Sequence, residues 1–229
     1  MNNKILYLII ILLIVSTAYA KKDIKIYKSI EFKNLKYISK YEIIDKVDIN
    51  FKGKNIIIDM NSLDKVLNEM PIVNSFKLSE LNESLIVSII ENQPIFLLGI
   101  RDGEKNTLIE LDKECRLISF NRAHALNIPL IIASKEDIRN NMISSRLKSF
   151  LSMIQGLRKT NLNVINDVLE IDYTDVNKTK VLLKGRRTLF VLRPDNEAFA
   201  KLNYAAGYFD RIKYYPHTFT ILDNFGIIE

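Results

Sequence analysis

Ser84-Leu85-Ile86-Val87-Ser88-Ile89-Ile90-Glu91-Asn92-Gln93-Pro94 divides the chain into two kinds of pattern. Ser84 to Glu91 is rich in Ile, Leu and Val and reads as a strand, with Leu81-Asn82 as the turn before it and Val73 to Leu78 as the preceding strand. Further upstream, Leu63, Val66, Leu67 and Met70 follow i, i+3, i+4, i+7 on a helix that Asn61 or Ser62 can cap and that Pro71 stops. Asn55 to Asp59 is a short apolar bridge. Ser39-Lys40-Tyr41-Glu42 is a capping box for a shorter helix carrying Ile43, Ile44 and Val47. Ile24, Ile26, Ile30 and Phe32 fall on even positions and predict a strand over 25–32, turned at Asn34. The order strand, helix, helix, strand, strand closes as a three-stranded sheet covered on one face by two helices, over residues 23–93.

Past Pro94 the pattern is one of strands and turns. Ile95 to Ile100, Thr107 to Leu111 and Arg116 to Phe120 read as strands, with Asp102-Gly103 and Asp112-Lys113-Glu114 as the turns between them. Ser134 to Asp137 caps a long helix with a stripe of Ile138, Met142, Leu147, Phe150, Leu151, Ile154 and Leu157. Leu169, Ile171 and Tyr173 alternate along a strand. Thr179 to Leu183 and Thr188 to Leu192 flank Lys184-Gly185-Arg186-Arg187 as a hairpin. Pro194-Asp195 opens a last helix with Phe199, Leu202 and Phe209, and Thr218 to Asp223 is a strand near the carboxyl terminus. Residues 94–229 are thus expected to form a strand-rich α+β unit ending in an edge strand.

Composition narrows the function classes. The 229 residues are 48 % hydrophobic and 26 % charged, an ordinary globular balance able to form a core. The net charge of +6 comes from scattered lysines, of which Lys21, Lys22, Lys25 and Lys28 directly follow an apolar N-terminus. That placement suits a juxtamembrane surface and not a nucleic-acid footprint. Ile5 to Ala20 is apolar or small throughout, after a stub of Met1 to Lys4. Sixteen residues span ~24 Å as a helix, short of the ~30 Å hydrocarbon core, and Ala18-Tyr19-Ala20 fits a signal-peptidase site. A signal anchor and a cleaved signal peptide both accommodate this segment. Either one exports the rest of the chain.

Little in the sequence suits catalysis. Cys115 is the lone cysteine, and neither His124 nor His217 stands at a spacing that matches a nucleophile's partner. Glu110 and Asp112 lie two apart on one strand, and Asp172 and Asp175 flank a turn, both ordinary places for solvated carboxylates. There is no G-x-S-x-G, H-E-x-x-H or phosphate-binding glycine loop. No cofactor or metal is expected, and an enzyme is not.

The order of several short motifs resembles the FtsQ/DivIB family of bacterial cell-division proteins. Leu85 to Ile90 running into Glu91-Asn92-Gln93-Pro94 is similar to that family's strand and E-x-x-P. Leu108-Ile109-Glu110-Leu111-Asp112 before Leu117-Ile118 resembles its L-(I/V)-D-x-x-G-x-(V/I) hairpin, and Asn127 to Ile131 its L-P-x-(L/I) approach to a long helix. Ile171-Asp172-Tyr173, the late hairpin and the final strand fall in matching order. The likeness covers essentially the whole chain. It departs where Cys115 or Arg116 stands near the family's usual Gly, where Asn34 holds a turn often given to Gly, and where Ser79 to Asn82 replaces an aromatic-proline turn.

This resemblance implies a POTRA-like domain at 23–93 and an FtsQ-type β domain at 94–229, held by a single-pass anchor in the cytoplasmic membrane at the division septum. It implies a non-catalytic scaffold that binds small coiled-coil division proteins of the FtsB/FtsL or DivIC/FtsL type and so recruits or controls the septal peptidoglycan synthase. Strand addition at an exposed sheet edge would make the contact. The expected edge is Thr218, Phe219, Thr220, Ile221 and Leu222, with Tyr214, Tyr215 and Arg211 as nearby anchors. The competing reading is a soluble exported POTRA-like protein that handles envelope polypeptides.

Overall fold

A computed structural model describes residues 22–102, 105–125, 127–160 and 162–229; the apolar run 5–20 with its stub 1–4, and Gly103 of the expected Asp102-Gly103 turn, lie outside the described residues. The fold is mixed α+β and falls into two units that divide between Glu91 and Asn92.

The first unit runs β1 (Ile24–Tyr27), β2 (Ser29–Lys33), α1 (Lys40–Ile44), β3 (Ile49–Lys52), β4 (Asn55–Asp59), α2 (Met60–Glu69), β5 (Val73–Leu81) and β6 (Ser84–Glu91). β6 is the middle of a three-stranded sheet, with β2 parallel on one side and β5 antiparallel on the other. The single strand expected over 25–32 is two strands. The Lys28 N–H donates to the Glu83 carbonyl at 2.7 Å, and there the chain crosses to β6. β1 belongs instead to a second sheet, β1–β4–β3, whose β3–β4 hairpin turns tightly at Gly53 with φ +62°. The apolar bridge 55–59 is therefore the centre of a sheet. The Ser39–Glu42 capping box forms as expected. The cap of α2 is Asp59, whose carboxylate accepts from the Asn61 N–H, while the Ser62 hydroxyl accepts from the Asp48 N–H.

Glu91 closes this unit. Its carboxylate accepts the backbone N–H groups of Lys36, Tyr37 and Ile38 at 2.9, 2.8 and 3.0 Å, fastening the end of β6 to the segment that enters α1. Glu91→Ala leaves three donors without their acceptor, and a loss of about 2–3 kcal/mol is expected. Urea unfolding, with hydrogen exchange assigning the loss to residues 22–91, checks it.

The second unit contains β7 (Phe96–Asp102), β8 (Lys105–Leu111), β9 (Leu117–Phe120), β10 (Leu130–Ser134), β11 (Ile138–Arg139), β12 (Met142–Ile143), α3 (Ser145–Arg158), β13 (Val168–Asp172), β14 (Thr179–Leu183), β15 (Leu189–Leu192), α4 (Asn196–Ile212), β16 (Thr218–Ile221) and β17 (Gly226–Ile228). Nine strands form one sheet in the order β17-β16-β15-β14-β13-β10-β7-β8-β9. Phe96, Leu98, Ile131, Ile171, Val181 and Phe190 of the sheet share a core with Phe150, Leu151 and Ile154 of α3 and Phe199, Leu202 and Phe209 of α4.

Several expectations need correction here. Leu130 to Ala133 does not lead into a helix but forms β10, a buried strand parallel to both β7 and β13. The long helix begins only at Ser145, capped by the Ser144 hydroxyl, which accepts from the Leu147 N–H. Between Ser134 and Ser144 stand a 3₁₀ turn and a small hairpin, because Asn140 and Asn141 both take left-handed φ, 52° and 59°. A two-residue turn of that kind suits Asn and breaks a helix. In β13 a bulge between Val168 and Glu170 turns Leu169 outward and brings Val168 inside.

Candidate interaction surface

The carboxyl-terminal elements converge at one edge of the large sheet. α4 starts at Asp195, whose carboxylate accepts the Ala198 N–H at 2.8 Å. Its buried line is Ala198, Phe199, Leu202, Ala206 and Phe209. Opposite that line Tyr204 is 76 % exposed and Tyr208 56 %, with Arg211 and Ile212 one turn on, so the outward face is aromatic. Arg186, from the β14–β15 turn, pins the end of α4 by a two-pronged pair with Asp210 at 3.1 and 2.6 Å and a longer one to Asp167 at 3.4 Å. The Arg186 guanidinium holds the Asp210 carboxyl below its ordinary range despite partial burial. The Tyr215 hydroxyl donates to the same carboxylate at 3.2 Å, and Tyr214 sets its ring edge-on to Phe209. Both tyrosines remain exposed, as does Arg211.

β16 is not the edge. It pairs parallel with β15 on one side and antiparallel with β17 on the other: Phe219 opposite Ile228, Thr220 opposite Ile227, Ile221 opposite Gly226. Phe219 packs edge-on against Phe209 at 5.0 Å and Ile221 is buried, so these two serve the core. Thr218 and Thr220 lie on the face away from α4 and are half-buried; Leu222 is exposed. The edge position belongs to Gly226–Ile228. The sequence carries a signal for it: Asp223-Asn224 is a turn pair, and Phe225-Gly226-Ile227-Ile228 is an apolar run behind it.

The hairpin is built, not draped. Lys201 of α4 donates to the Asp223 carbonyl at 2.6 Å, and Arg193 pairs with the Asp223 carboxylate at 2.6 Å. A Cβ placed on Gly226 would run into the Phe219 ring, so glycine is what lets β17 close on β16. Thr218 and Glu229 exchange both backbone hydrogen bonds, and Leu222 donates to Phe225. The antiparallel alternation then turns the N–H and C=O of Gly226 and Ile228 away from β16. Among the described residues no strand pairs with that outer side. Leu222, Phe225, Ile227 and Ile228 are all exposed, and a groove of about 270 Å³ runs between the hairpin and α4, lined by Lys201, Ala205, Phe219, Leu222 and Phe225.

The carboxylates are engaged elsewhere in holding turns, and the thiol is buried. Glu110 is fully buried and accepts from the Ser119 hydroxyl, the N–H groups of His124 and Ala125, and the His124 ring. Asp112 accepts from the N–H groups of Glu114 and Arg116 and from the Arg116 side chain. Burial pushes the Cys115 thiol up in pKa, away from the thiolate that a nucleophile needs. Asp172 and Asp175 each cap their own turns. Among the described residues no group of three or more His, Cys, Asp or Glu is placed to hold a metal ion, and no helix is long and apolar enough to cross a membrane. No family model matches the chain, and no curated protein matches it in sequence.

Proposed function

We propose that this chain is a non-catalytic, membrane-anchored scaffold of bacterial cell division, of the FtsQ/DivIB kind. One observation carries the binding part: the large sheet stops at a short exposed strand whose backbone N–H and C=O groups face outward beside a surface of exposed aromatic and aliphatic side chains. A partner segment adding to β17 gains main-chain hydrogen bonds from Gly226 and Ile228, and Tyr204, Tyr208, Tyr214, Tyr215 and Arg211 supply anchors beside it. The order of sequence motifs supports the division role, and a POTRA-like reading of the β2–β6–β5 sheet with its two helices agrees with it. The partner is a small coiled-coil division protein of the FtsB or DivIC type, and through it the septal peptidoglycan synthase. Residues 5–20 are the single-pass anchor in the cytoplasmic membrane, with the stub 1–4 in the cytoplasm and residues 21–229 outside it at the septum.

Ile228→Pro tests the contact. It removes one outward N–H and leaves the Thr220–Ile227 pairing in place, since an edge strand tolerates proline on its open side. Co-purification of the coiled-coil partner is expected to fall at least tenfold, about 1.4 kcal/mol, with unchanged circular dichroism. Undiminished co-purification would contradict pairing at β17.

A further inference from the structure

β1 is turned inside out. In an ordinary half-buried strand the apolar side chains face the protein and the charged ones face water. Here Ile24 and Ile26 point outward, 49 % and 61 % exposed, while on the other face Tyr27 is buried and the Lys25 side chain keeps 42 % exposure. Lys25 is held there by Glu80 at 2.7 Å, and the Tyr27 hydroxyl, its pKa pushed up to about 12 by burial and by Glu80, donates to the same carboxylate. The register sets Ile57 of β4 directly opposite Ile26 on the outward face, so three isoleucines adjoin. Around them on that face stand Lys28, Asn55, Asn50 and Lys52, with Lys54 in the adjoining turn. Two acids share the face: Asp48 is paired with Lys22 at 2.8 Å, and Asp59, set opposite Ile24 by the register, is buried and accepts from the Asn61 N–H. The patch has an apolar centre and a cationic rim.

We propose that this outer face of the β1–β4–β3 sheet lies against the anionic lipid surface of the membrane. Two features select lipid as the occupant. The rim is complementary to lipid phosphates. Ile24 also follows the last residue of the apolar run, Ala20, by four residues, a reach of at most ~14 Å, so the patch stays at the bilayer surface when residues 5–20 are retained. The inference rests on the anchored reading. Isoleucines at such a boundary sit ~5–10 Å deep, among headgroups and the first methylenes, while lysines reach back to phosphate. The sheet then fixes how the first unit meets the membrane, which a flexible tether would not.

The test uses the full-length chain with Cys115→Ser, purified and reconstituted in vesicles of phosphatidylethanolamine and phosphatidylglycerol. An environment-sensitive fluorophore is placed on Ile26→Cys or, in a second protein, on Phe51→Cys, which is exposed on the opposite face of the same sheet. The label at 26 is expected to emit at shorter wavelength and to be quenched by nitroxide-bearing lipids, and the label at 51 to be quenched less. A water-like, unquenched label at 26, or equal quenching at both sites, would overturn the proposal. So would a shielded label at 26 that lipid nitroxides do not quench, because that marks a protein partner or a second copy on the face. Mass analysis of the chain from cells separates the two levels. Cleavage after Ala20 with release from the membrane removes the anchored reading and this inference together, whereas failure of the quenching experiment on the intact chain removes this inference alone.

Discussion

Glu110→Ala is expected to remove about 3–5 kcal/mol of stability from the second unit, among the largest losses a single substitution in this chain can cause. The carboxylate has no exposed surface and takes four hydrogen bonds: 2.8 Å from the Ser119 hydroxyl, 2.5 and 2.8 Å from the His124 and Ala125 N–H groups, and 2.6 Å from the His124 ring. Its removal strands donors in a segment that has no regular structure to absorb them. Glu110→Gln keeps the volume but offers only one acceptor oxygen, so it should fall between wild type and alanine. Urea unfolding gives the sizes. Hydrogen exchange should show the loss first at residues 119–125. A Glu110→Ala protein with an unchanged midpoint would mean that the carboxylate does not clamp this loop.

Asp137→Asn is expected to cost about 3 kcal/mol. Asp137 is buried and accepts from the Ser134 and Ser144 hydroxyls and from both prongs of Arg146, whose guanidinium also lies over the Tyr173 ring at 5.2 Å. Tyr173 stacks on Phe150 at 4.0 Å, so the pair ties the small hairpin to the core of α3. Burial alone would raise the Asp137 pKa; hydrogen bonds from Arg146, Ser144 and Ser134 outweigh it, and the pKa is lowered. A carboxyl lowered on folding stabilises fully above its unfolded value, about 3.9, and that stability is lost as pH falls through the lower folded value. The gap between wild type and Asp137→Asn should therefore be full at neutral pH and close on acidification below about pH 4. A gap independent of pH would show that packing, and not the ionised carboxylate, is responsible.

Local chemistry was the legible part of this sequence. The Ser39–Glu42 box, the helix carrying Leu63 and Leu67, and the strand 84–91 all stand where spacing puts them, because each is fixed by neighbours a few residues away. Asn34 and Cys115 hold left-handed φ of 65° and 61°, a backbone that no local periodicity announces. Long-range pairing was less legible. Leu130 to Ala133 has the continuous apolar character of a strand buried on both faces, but four residues do not distinguish such a strand from the start of a helix. The split at Lys28 depends on a hydrogen bond to Glu83, fifty-five residues away, and no local periodicity records it. The interaction surface divided in the same way. Tyr214, Tyr215 and Arg211 are exposed where an interface would want them, whereas Phe219 and Ile221 went to the core because an amphipathic strand looks alike whether its apolar face meets a helix or a partner.

The division-scaffold account is tested most directly by a photocrosslinking residue in place of Ile227, on the exposed outer strand, in living cells. The account predicts capture of a small single-pass coiled-coil protein, lost when Ile228→Pro is added. Capture of varied envelope polypeptides, or of nothing while the full-length chain is present, would contradict it.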